Sequence, residues 1–295
     1  MENSALELVD WHLTDEQVAQ AVAILQAQGV VLLRGILDKQ ELSPIVNAAT
    51  ECFMDIEGII RDQGADQVSH YVPPSYAFNA RSTSVSLFAL NDYQSSGEAA
   101  QISDKVLFLL AKSLAYKLLT QVMGNRILCN LSQAWVRKQY AHMHYHDLHA
   151  PHSWHQDGAL GVTFSNLPDE CDRPYSREPL TPLITCWIPL TTCGRQSPGI
   201  QLITQHLEQL VYYTYLNKVR LLELFDSHQF WSPEMTLGDV LIFLNGTLHQ
   251  TYLTQSMKQD RLSLELRLMG SDTIPQWMKK DVFKELSDFS ASNLF

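Results

Sequence analysis

The sequence predicts an α+β, mainly β protein: a double-stranded β-helix (jelly roll) core, with helices packed at its amino-terminal end and around it. From residue 126 onwards, short apolar segments are separated by loops, without helices between them, which favours an antiparallel over a parallel sheet. Before residue 124 the apolar residues recur mainly at helical spacing. At 295 residues, with 45% hydrophobic and 18% charged residues, the chain is predicted to form one globular domain over residues 1–295.

The amino-terminal part, about residues 1–124, is predicted to be mainly helical. Thr14 and Gln17 have the spacing of a capping box, which begins a helix, and Gly29 ends that helix. A glycine at position 124 similarly ends a long amphipathic helix. The predicted elements are a helix over 14–27, a strand over 30–33, a helix over about 38–61 and a helix over about 102–123.

Residues 64–100 form a polar segment with little periodicity. An irregular segment of this length is more often a functional lid than a simple connector. Its aromatic and basic side chains are therefore candidates for contact with a substrate, and a surface loop is the alternative. These candidates are Tyr71, Tyr76, Phe78 and Arg81.

The jelly roll is predicted over about residues 125–270. Residues 207–226 are predicted to be an inserted helical segment, and residues 275–289 a carboxy-terminal helix. The predicted strands cover residues 127–138, 160–164, 183–190, 200–204, 239–244 and 262–268.

Three residues predict a metal site. His155 and Asp157 are two apart on an extended segment, so their side chains point the same way. His249 follows a Gly-Asp turn and a buried strand, and must arrive from a second strand. Two imidazoles and one carboxylate on one face of an Fe(II) ion leave the opposite positions open for O2 and a cosubstrate. An H-x-D match alone is weak in a chain with 11 histidines, and structural histidines of a barrel are the alternative.

Arg261 begins an alternating strand whose polar residues share one face. Its guanidinium offers a rigid fork of donors, which suits the distal carboxylate of a dicarboxylate. Together with the predicted metal ligands, this arginine indicates an iron- and 2-oxoglutarate-dependent oxygenase.

The order of these motifs resembles the phytanoyl-CoA dioxygenase (PhyH) family, from about residue 14 to residue 269. One departure is Thr-Gln-His at residues 204–206, where the family often has a P-G-S-H-like turn. The likeness is carried by G-V-V-L-L-R-G-I-L-D at 29–38, H-Q-D-G at 155–158, the tryptophan-bearing strand at 184–190, S-P-G-I-Q-L at 197–202, and G-D-V-L-I-F at 238–243 followed by His249 and Arg261.

This resemblance implies a cupin-like jelly roll and assigns roles to particular residues. His155, Asp157 and His249 match the iron ligands. Arg261 matches the residue that pairs with the C5 carboxylate of 2-oxoglutarate. The same comparison makes Thr251 a hydroxyl that assists this arginine and Trp187 a wall of the cosubstrate site. The implied cofactors and cosubstrates are Fe(2+), 2-oxoglutarate and O2.

The resemblance also implies oxidation of a C–H bond in a small-molecule metabolite, coupled to decarboxylation of 2-oxoglutarate to succinate. In related halogenases a small residue replaces the carboxylate ligand, so Asp157 favours hydroxylation, or a desaturation or ring-forming variant, over halogenation. A coenzyme A substrate would require a basic patch, and the sequence shows no obvious one.

Two other classes remain open. One is a catalytically silent jelly-roll ligand-binding protein, which would be expected to have lost a ligand or the arginine. The other is a zinc-dependent hydrolase, although the sequence has no H-E-x-x-H motif.

A histidine-rich segment offers a rival metal site. Zinc could bind His144, His146 and His149, but Pro151 interrupts the segment, and a solvated loop or contacts with substrate or a lid are the alternatives. The whole cluster comprises His142, His144, His146, His149, His152 and His155.

The composition limits the classes of partner and the cellular compartment that we expect. The formal net charge of −11 argues against nucleic acid and anionic membranes as partners. The 5 cysteines have no C-x-x-C spacing, which argues against a disulfide framework or a zinc ribbon. Residues 1–9 lack the apolar segment of a signal peptide, and no segment approaches the length of a membrane span. The expected location is a reducing cytoplasm.

Overall fold

Two facing β-sheets form the core of the computed structural model, which describes residues 7–8, 14–64, 84–94, 100–142, 151–162 and 174–290. Apart from the parallel β1–β2 pair, the strand pairings in these ranges are antiparallel. The elements are β1 (Glu7–Leu8), α1 (Asp15–Gln28), β2 (Val30–Leu33), α2 (Lys39–Gln63), β3 (Ser84–Ser86), α3 (Ile102–Lys112), α4 (Leu114–Met123), β4 (Ile127–Asn130), β5 (Trp135–Gln139), β6 (Ile184–Pro189), β7 (Gly199–Ile203), α5 (Lys218–Leu224), β8 (Phe230–Trp231), β9 (Val240–Leu244), β10 (His249–Tyr252), β11 (Arg261–Gly270) and β12 (Phe283–Glu285).

The larger sheet runs in the order β1-β2-β9-β6-β11-β4-β12. Strand β5 pairs with the first half of β11, and β3 pairs with β5. The smaller sheet runs in the order β10-β7-β8. The predicted jelly-roll core with packed helices is therefore confirmed.

Successive side chains along each strand of the larger sheet lie on opposite faces, and each face has its own contacts. On β2, Val31 and Leu33 join the hydrophobic cluster that includes the helices, whereas Val30 and Leu32 join a second cluster with the smaller sheet. Because successive strand side chains point to opposite faces, one face of the larger sheet packs against helices and the other against the smaller sheet. The face towards the smaller sheet is called the inner face below.

The same alternation places a row of polar side chains on the inner face of β11. Its leucines at 262, 264, 266 and 268 all lie in the cluster that includes the helices. The residues that alternate with these leucines must point inward. These inward residues are Arg261, Ser263, Glu265 and Arg267, and all four are buried.

Two of the predicted helices form as expected. The capping box at Thr14 and Gln17 is present, and Gly29 ends α1 in the left-handed conformation at φ 77°. Helix α2 begins after Asp38, whose side chain accepts from the amides of Gln40 and Glu41.

The prediction of a single helix over residues 102–123 is wrong. The chain forms two helices there, α3 and α4, with an angle of 78° between them. Ser113 interrupts them with extended backbone (φ −83°, ψ 167°) and accepts a hydrogen bond from the Ala115 amide as the N-cap of α4. Within the described ranges, no helix is by itself long and apolar enough to span a membrane; α3 and α4 meet that test only when taken together.

Three further predictions about secondary structure need correction. The strand expected over 127–138 is split into β4 and β5 by a 3-10 turn at 131–133, and both halves pair with β11. Only residues 160–162 of the strand expected over 160–164 are described, and they are a turn and coil rather than a strand. The segment 207–226 contains a 3-10 turn and the short helix α5 rather than a continuous helix.

The helix expected over residues 275–289 is also absent. This segment forms a 3-10 turn at 276–278, the strand β12, and a second 3-10 turn at 286–289. Strand β12 pairs with β4 at the end of the larger sheet, in the register Phe283 to Asn130. Pairing with an unfilled sheet edge overrides the local helical pattern, because it satisfies backbone groups of both strands.

Candidate metal centre

A pair of backbone hydrogen bonds brings the two predicted histidine ligands together. The amide of His155 donates to the carbonyl of His249 at 2.9 Å, and the reverse bond is 3.0 Å. The two residues thus form an antiparallel bridge beside β10, with ring centroids 4.1 Å apart. Asp157 projects to the same side, and the ligand atoms of the three residues lie within 4.8 Å of one another. The structure therefore brings together the three residues that the sequence singled out.

Gln156, between the two ligands, faces the opposite way and anchors this segment. Its amide nitrogen donates to the carbonyls of Gly246 at 2.7 Å and Gln209 at 3.0 Å, and its oxygen accepts from the Val211 amide at 2.7 Å. The next residue after Asp157 must be small: a Cβ on Gly158 would lie 2.8 Å from the carbonyl oxygen of residue 245. The H-Q-D-G segment is thus held rigidly, which fixes the direction of its two outward side chains.

Both histidines have their Nδ1 atoms engaged by backbone carbonyls. His155 Nδ1 lies 2.7 Å from the Ser153 oxygen, and His249 Nδ1 lies 2.9 Å from the Thr247 oxygen. Since a carbonyl only accepts, each Nδ1 carries a proton and each Nε2 is the ring nitrogen left available to a metal. Burial, reinforced by the adjacent His249, lowers the pKa of His155 to about 3. The His155 ring is therefore neutral at physiological pH, as a metal ligand must be.

Asp157 is clamped by two residues of the larger sheet. The Thr185 hydroxyl donates to Oδ2 at 2.6 Å, and Arg267 Nη2 donates to Oδ1 at 3.1 Å. Thr185 and Arg267 are direct partners across β6 and β11, so the strand register builds the clamp. Burial alone would raise the pKa of Asp157, but Arg267 and the two ligand histidines hold it well below its usual range. Its Oδ1 lies 3.9 Å from His249 Nε2, a separation that leaves room for an ion bound to both.

Arg261 is a buried cation with spare hydrogen-bonding capacity. One Nη donates to the Gly199 carbonyl at 2.8 Å, and the guanidinium lies 5.0 Å from the centre of the Trp187 ring. Its Nε is buried without a partner, and no carboxylate within the described ranges lies at ion-pair distance from it. Burial lowers the pKa of Arg261 to about 10, so it remains charged at neutral pH. A buried cation in this state is costly unless an anion completes the site.

The metal triad and Arg261 line one shared cavity. Thr251 and Trp187, the other two predicted cosubstrate residues, also line it. Two imidazoles and an ionised carboxylate converging on one side suit a divalent transition metal with open positions towards the cavity. The donor set therefore fits Fe(II).

Sequence reasoning missed several residues of this site. The structure pairs Arg267 with Asp157, a contact that the sequence analysis did not anticipate. Thr185, Arg137 and Glu265 were not singled out, although Arg137 and Glu265 line the cavity. Polar residues at alternate positions of otherwise apolar strands were the available signal.

Only part of the histidine-rich segment can be placed. His152 lines the cavity, with its ring 5.6 Å from that of His155, and burial lowers its pKa to about 4. His142 is exposed. The rival zinc ligands His144, His146 and His149 lie outside the described residues, as do the four lid candidates Tyr71, Tyr76, Phe78 and Arg81.

Comparison with known proteins finds similarity of structure rather than of sequence. No family model matches the chain, and no curated protein matches it. EctD from S. alaskensis, solved with 2-oxoglutarate and 5-hydroxyectoine, is 14% identical with a TM-score of 0.59; the match covers 89% of this chain and 80% of EctD.

Two structures from nogalamycin biosynthesis are also similar. The non-heme α-ketoglutarate-dependent epimerase SnoN is 12% identical with a TM-score of 0.51, over 88% of this chain and 84% of SnoN. The carbocyclase SnoK, described in the same terms, is 13% identical with a TM-score of 0.51, over 88% of this chain and 85% of SnoK. At these identities the likeness establishes a shared fold.

Proposed function

We propose that this protein is a non-haem Fe(II)- and 2-oxoglutarate-dependent dioxygenase of the PhyH-like type, which hydroxylates, or otherwise oxidises at a C–H bond, a small-molecule metabolite. For hydroxylation, substrate, O2 and 2-oxoglutarate give hydroxylated substrate, succinate and CO2. The observation that carries the proposal is the shared cavity: it combines a two-histidine, one-carboxylate triad with a buried arginine that has no carboxylate partner in the described ranges. A silent ligand-binding jelly roll would need neither feature.

The iron would be held by Nε2 of His155 and His249 and by Asp157. When bound, it supplies the activation of O2 and the oxidising power, with 2-oxoglutarate as the co-reductant. The Nδ1 hydrogen bonds fix the tautomer and ring plane of each histidine. Thr185 holds Oδ2 of Asp157, and Oδ1, which lies 3.9 Å from His249 Nε2, would be the oxygen offered to the metal.

Arg261 would receive the C5 carboxylate of 2-oxoglutarate. The planar guanidinium is already oriented by the Gly199 carbonyl and the Trp187 ring, so little order has to be gained on binding. Thr251 follows His249 by two residues on β10 and lines the same cavity, where its hydroxyl would assist Arg261. Burial strengthens such a charge-assisted pair, because water does not compete for it.

Asp157 supports hydroxylation over halogenation. Its carboxylate, held by Thr185 and Arg267, fills the position that halogenases leave for a halide. Desaturation and ring formation remain related outcomes of the same chemistry. The names of SnoN and SnoK describe an epimerase and a carbocyclase, so proteins of this fold carry out more than one kind of reaction.

We place this chemistry in a reducing cytoplasm, where iron stays ferrous. The four described cysteines support this, since Cys52, Cys129, Cys186 and Cys193 are free and buried. No nucleic acid or membrane partner is proposed, in keeping with the net charge of −11.

The test is formation of succinate from 2-oxoglutarate and O2 without added substrate, with ascorbate supplying the two electrons that a substrate would otherwise provide. We expect succinate that depends on both Fe(II) and O2 in the wild type, and none above background in Asp157→Ala. Equal succinate in the two proteins, or none in either with zinc tightly retained after purification, would contradict the proposal.

A further inference from the structure

Four buried charged side chains form a row that leads away from the metal triad. Asp157 Oδ1 accepts from Arg267 Nη2 at 3.1 Å, and the same nitrogen lies 3.7 Å from Glu265 Oε2. Glu265 Oε1 in turn accepts from Arg137 Nε at 2.9 Å. Each of the four residues is at most 8% exposed, so the row is largely shielded from solvent.

The row follows from strand geometry. Glu265 and Arg267 are neighbours on the inner face of β11, and Arg137 lies on β5, directly opposite Ser263 of β11. Arg137 therefore contacts Glu265 diagonally across the sheet. Arg267, which is paired with Thr185 of β6, contacts Asp157. The charges alternate in sign along the row and sum to zero.

This alternation matters because Arg267 poses a problem for the metal site. A guanidinium beside a ligand carboxylate partly neutralises the negative charge of that carboxylate. It also repels a divalent cation. Glu265 offsets Arg267 at the next position, and its own charge is secured by two arginines: burial would raise its pKa, but Arg137 and Arg267 lower it to about 2. Without Glu265, the protein would present excess positive charge to an incoming ion.

We propose that Glu265 is a positioning residue for the metal, which acts through Arg267 to keep Asp157 available as a strong ligand, and that Arg137 opposes it. This inference rests on the metal site of the proposed function, but not on the cosubstrate or the reaction. The inference predicts opposite effects for the two residues. Removing the negative charge of Glu265 weakens metal binding, and removing the positive charge of Arg137 strengthens it. A row that served only to hold the fold would weaken metal binding in both cases.

The test is titration of the metal-free protein with Co(II) alone, followed by the visible absorption of the bound ion. Glu265→Gln should weaken the affinity by about 10- to 100-fold, the range typical for groups that orient or tune metal ligands. Arg137→Gln should strengthen it by about threefold to tenfold, because one distal positive charge is removed. The double variant Glu265→Gln/Arg137→Gln should bind more tightly than Glu265→Gln and about 1- to 30-fold more weakly than the wild type, since the two charge effects oppose each other.

Ser263→Ala is the matched control. Ser263 lies between Arg261 and Glu265 on the same inner face, is fully buried, and its hydroxyl has no partner within the described ranges. Its removal should leave Co(II) affinity unchanged. Circular dichroism of each metal-free variant verifies folding. If Glu265→Gln fails to fold, the direction of the affinity change in Arg137→Gln still decides.

Two outcomes separate this inference from the proposed function. If the wild type does not bind Co(II), the metal site and both proposals fall. If the wild type binds but Arg137→Gln weakens the affinity, or the double variant binds no better than Glu265→Gln, the row is structural and this inference alone is overturned.

Discussion

Replacing Arg261 tests the proposed cosubstrate site most sharply, because its side chain is buried and its proposed role is separate from that of the metal. In Arg261→Gln the cavity keeps a polar side chain, shorter than that of arginine, but loses the cation. One Nη is already committed to Gly199, which leaves Nε and the other Nη for a carboxylate. Truncating one partner of a buried, hydrogen-bonded charge pair costs about 2–5 kcal/mol.

The partial commitment of Arg261 to Gly199 places the expected loss at the lower end of that range, about 2–3 kcal/mol, since the arginine has fewer donors to lose. This corresponds to a rise of about 30- to 150-fold in the dissociation constant of 2-oxoglutarate. The assay is equilibrium binding of 2-oxoglutarate to the Fe(II)-loaded protein under anaerobic conditions. Arg195→Gln, which changes an exposed arginine, is the control and should bind as the wild type does.

An unchanged dissociation constant in Arg261→Gln, with iron still bound, would refute this reasoning. Arg267, which lies on the same face of β11, could not then simply take over the role, because it already donates to Asp157. Loss of iron binding in the same variant would instead show that Arg261 supports the triad and not the cosubstrate.

The remaining predictions concern the triad and its surroundings. His155→Ala should abolish iron-dependent turnover, measured as succinate release, and full activity would contradict the metal assignment. Thr185→Val, which keeps the shape but removes the hydrogen bond to Asp157 Oδ2, should weaken Co(II) binding by about tenfold; an affinity equal to that of the wild type would show that the clamp is unimportant. In the metal-free protein, His152 and His155 have pKa values lowered to about 4 and 3, so below pH 6.5 the unfolded chain binds protons that the folded chain does not. Stability should therefore fall as the pH drops from 6.5 to 4, by up to about 1.4 kcal/mol per pH unit for each histidine. Urea unfolding should show a shallower pH dependence in His152→Asn, and an identical slope would contradict the depressed pKa of His152.

The parts of the site that the sequence predicted are those encoded by local spacing. His155 and Asp157 are two residues apart on extended chain, which suffices to direct both to one side. His249 was recognisable because it follows the buried strand β9, and Arg261 because it begins the alternating strand β11. Fold class was predictable for the same reason, since the spacing of apolar segments is also a local property.

The side-chain contacts that the sequence did not predict depend on pairing between strands far apart in the chain. The contact between Arg267 and Asp157 spans 110 residues and exists because β6 and β11 pair in one register. The row that continues to Glu265 and Arg137 depends on a second register, between β5 and β11. Strand register is set by tertiary packing, so no local pattern specifies which polar side chains meet.

The errors in secondary structure have a similar origin. Ser113 breaks a continuous apolar pattern by capping the following helix, a local alternative that periodicity does not detect. Around Phe283 the helical pattern yields to pairing with β4, because the sheet edge offers partners for its backbone groups.

The central claim is that His155, Asp157 and His249 form an iron site that binds 2-oxoglutarate. It is tested most directly by adding Fe(II) and then 2-oxoglutarate to the metal-free protein under anaerobic conditions and recording the visible spectrum. We expect a weak charge-transfer band, which reports chelation of the iron by the cosubstrate, in the wild type and not in His249→Ala. A wild-type protein that shows no band, or a band of equal intensity in both proteins, would contradict the account.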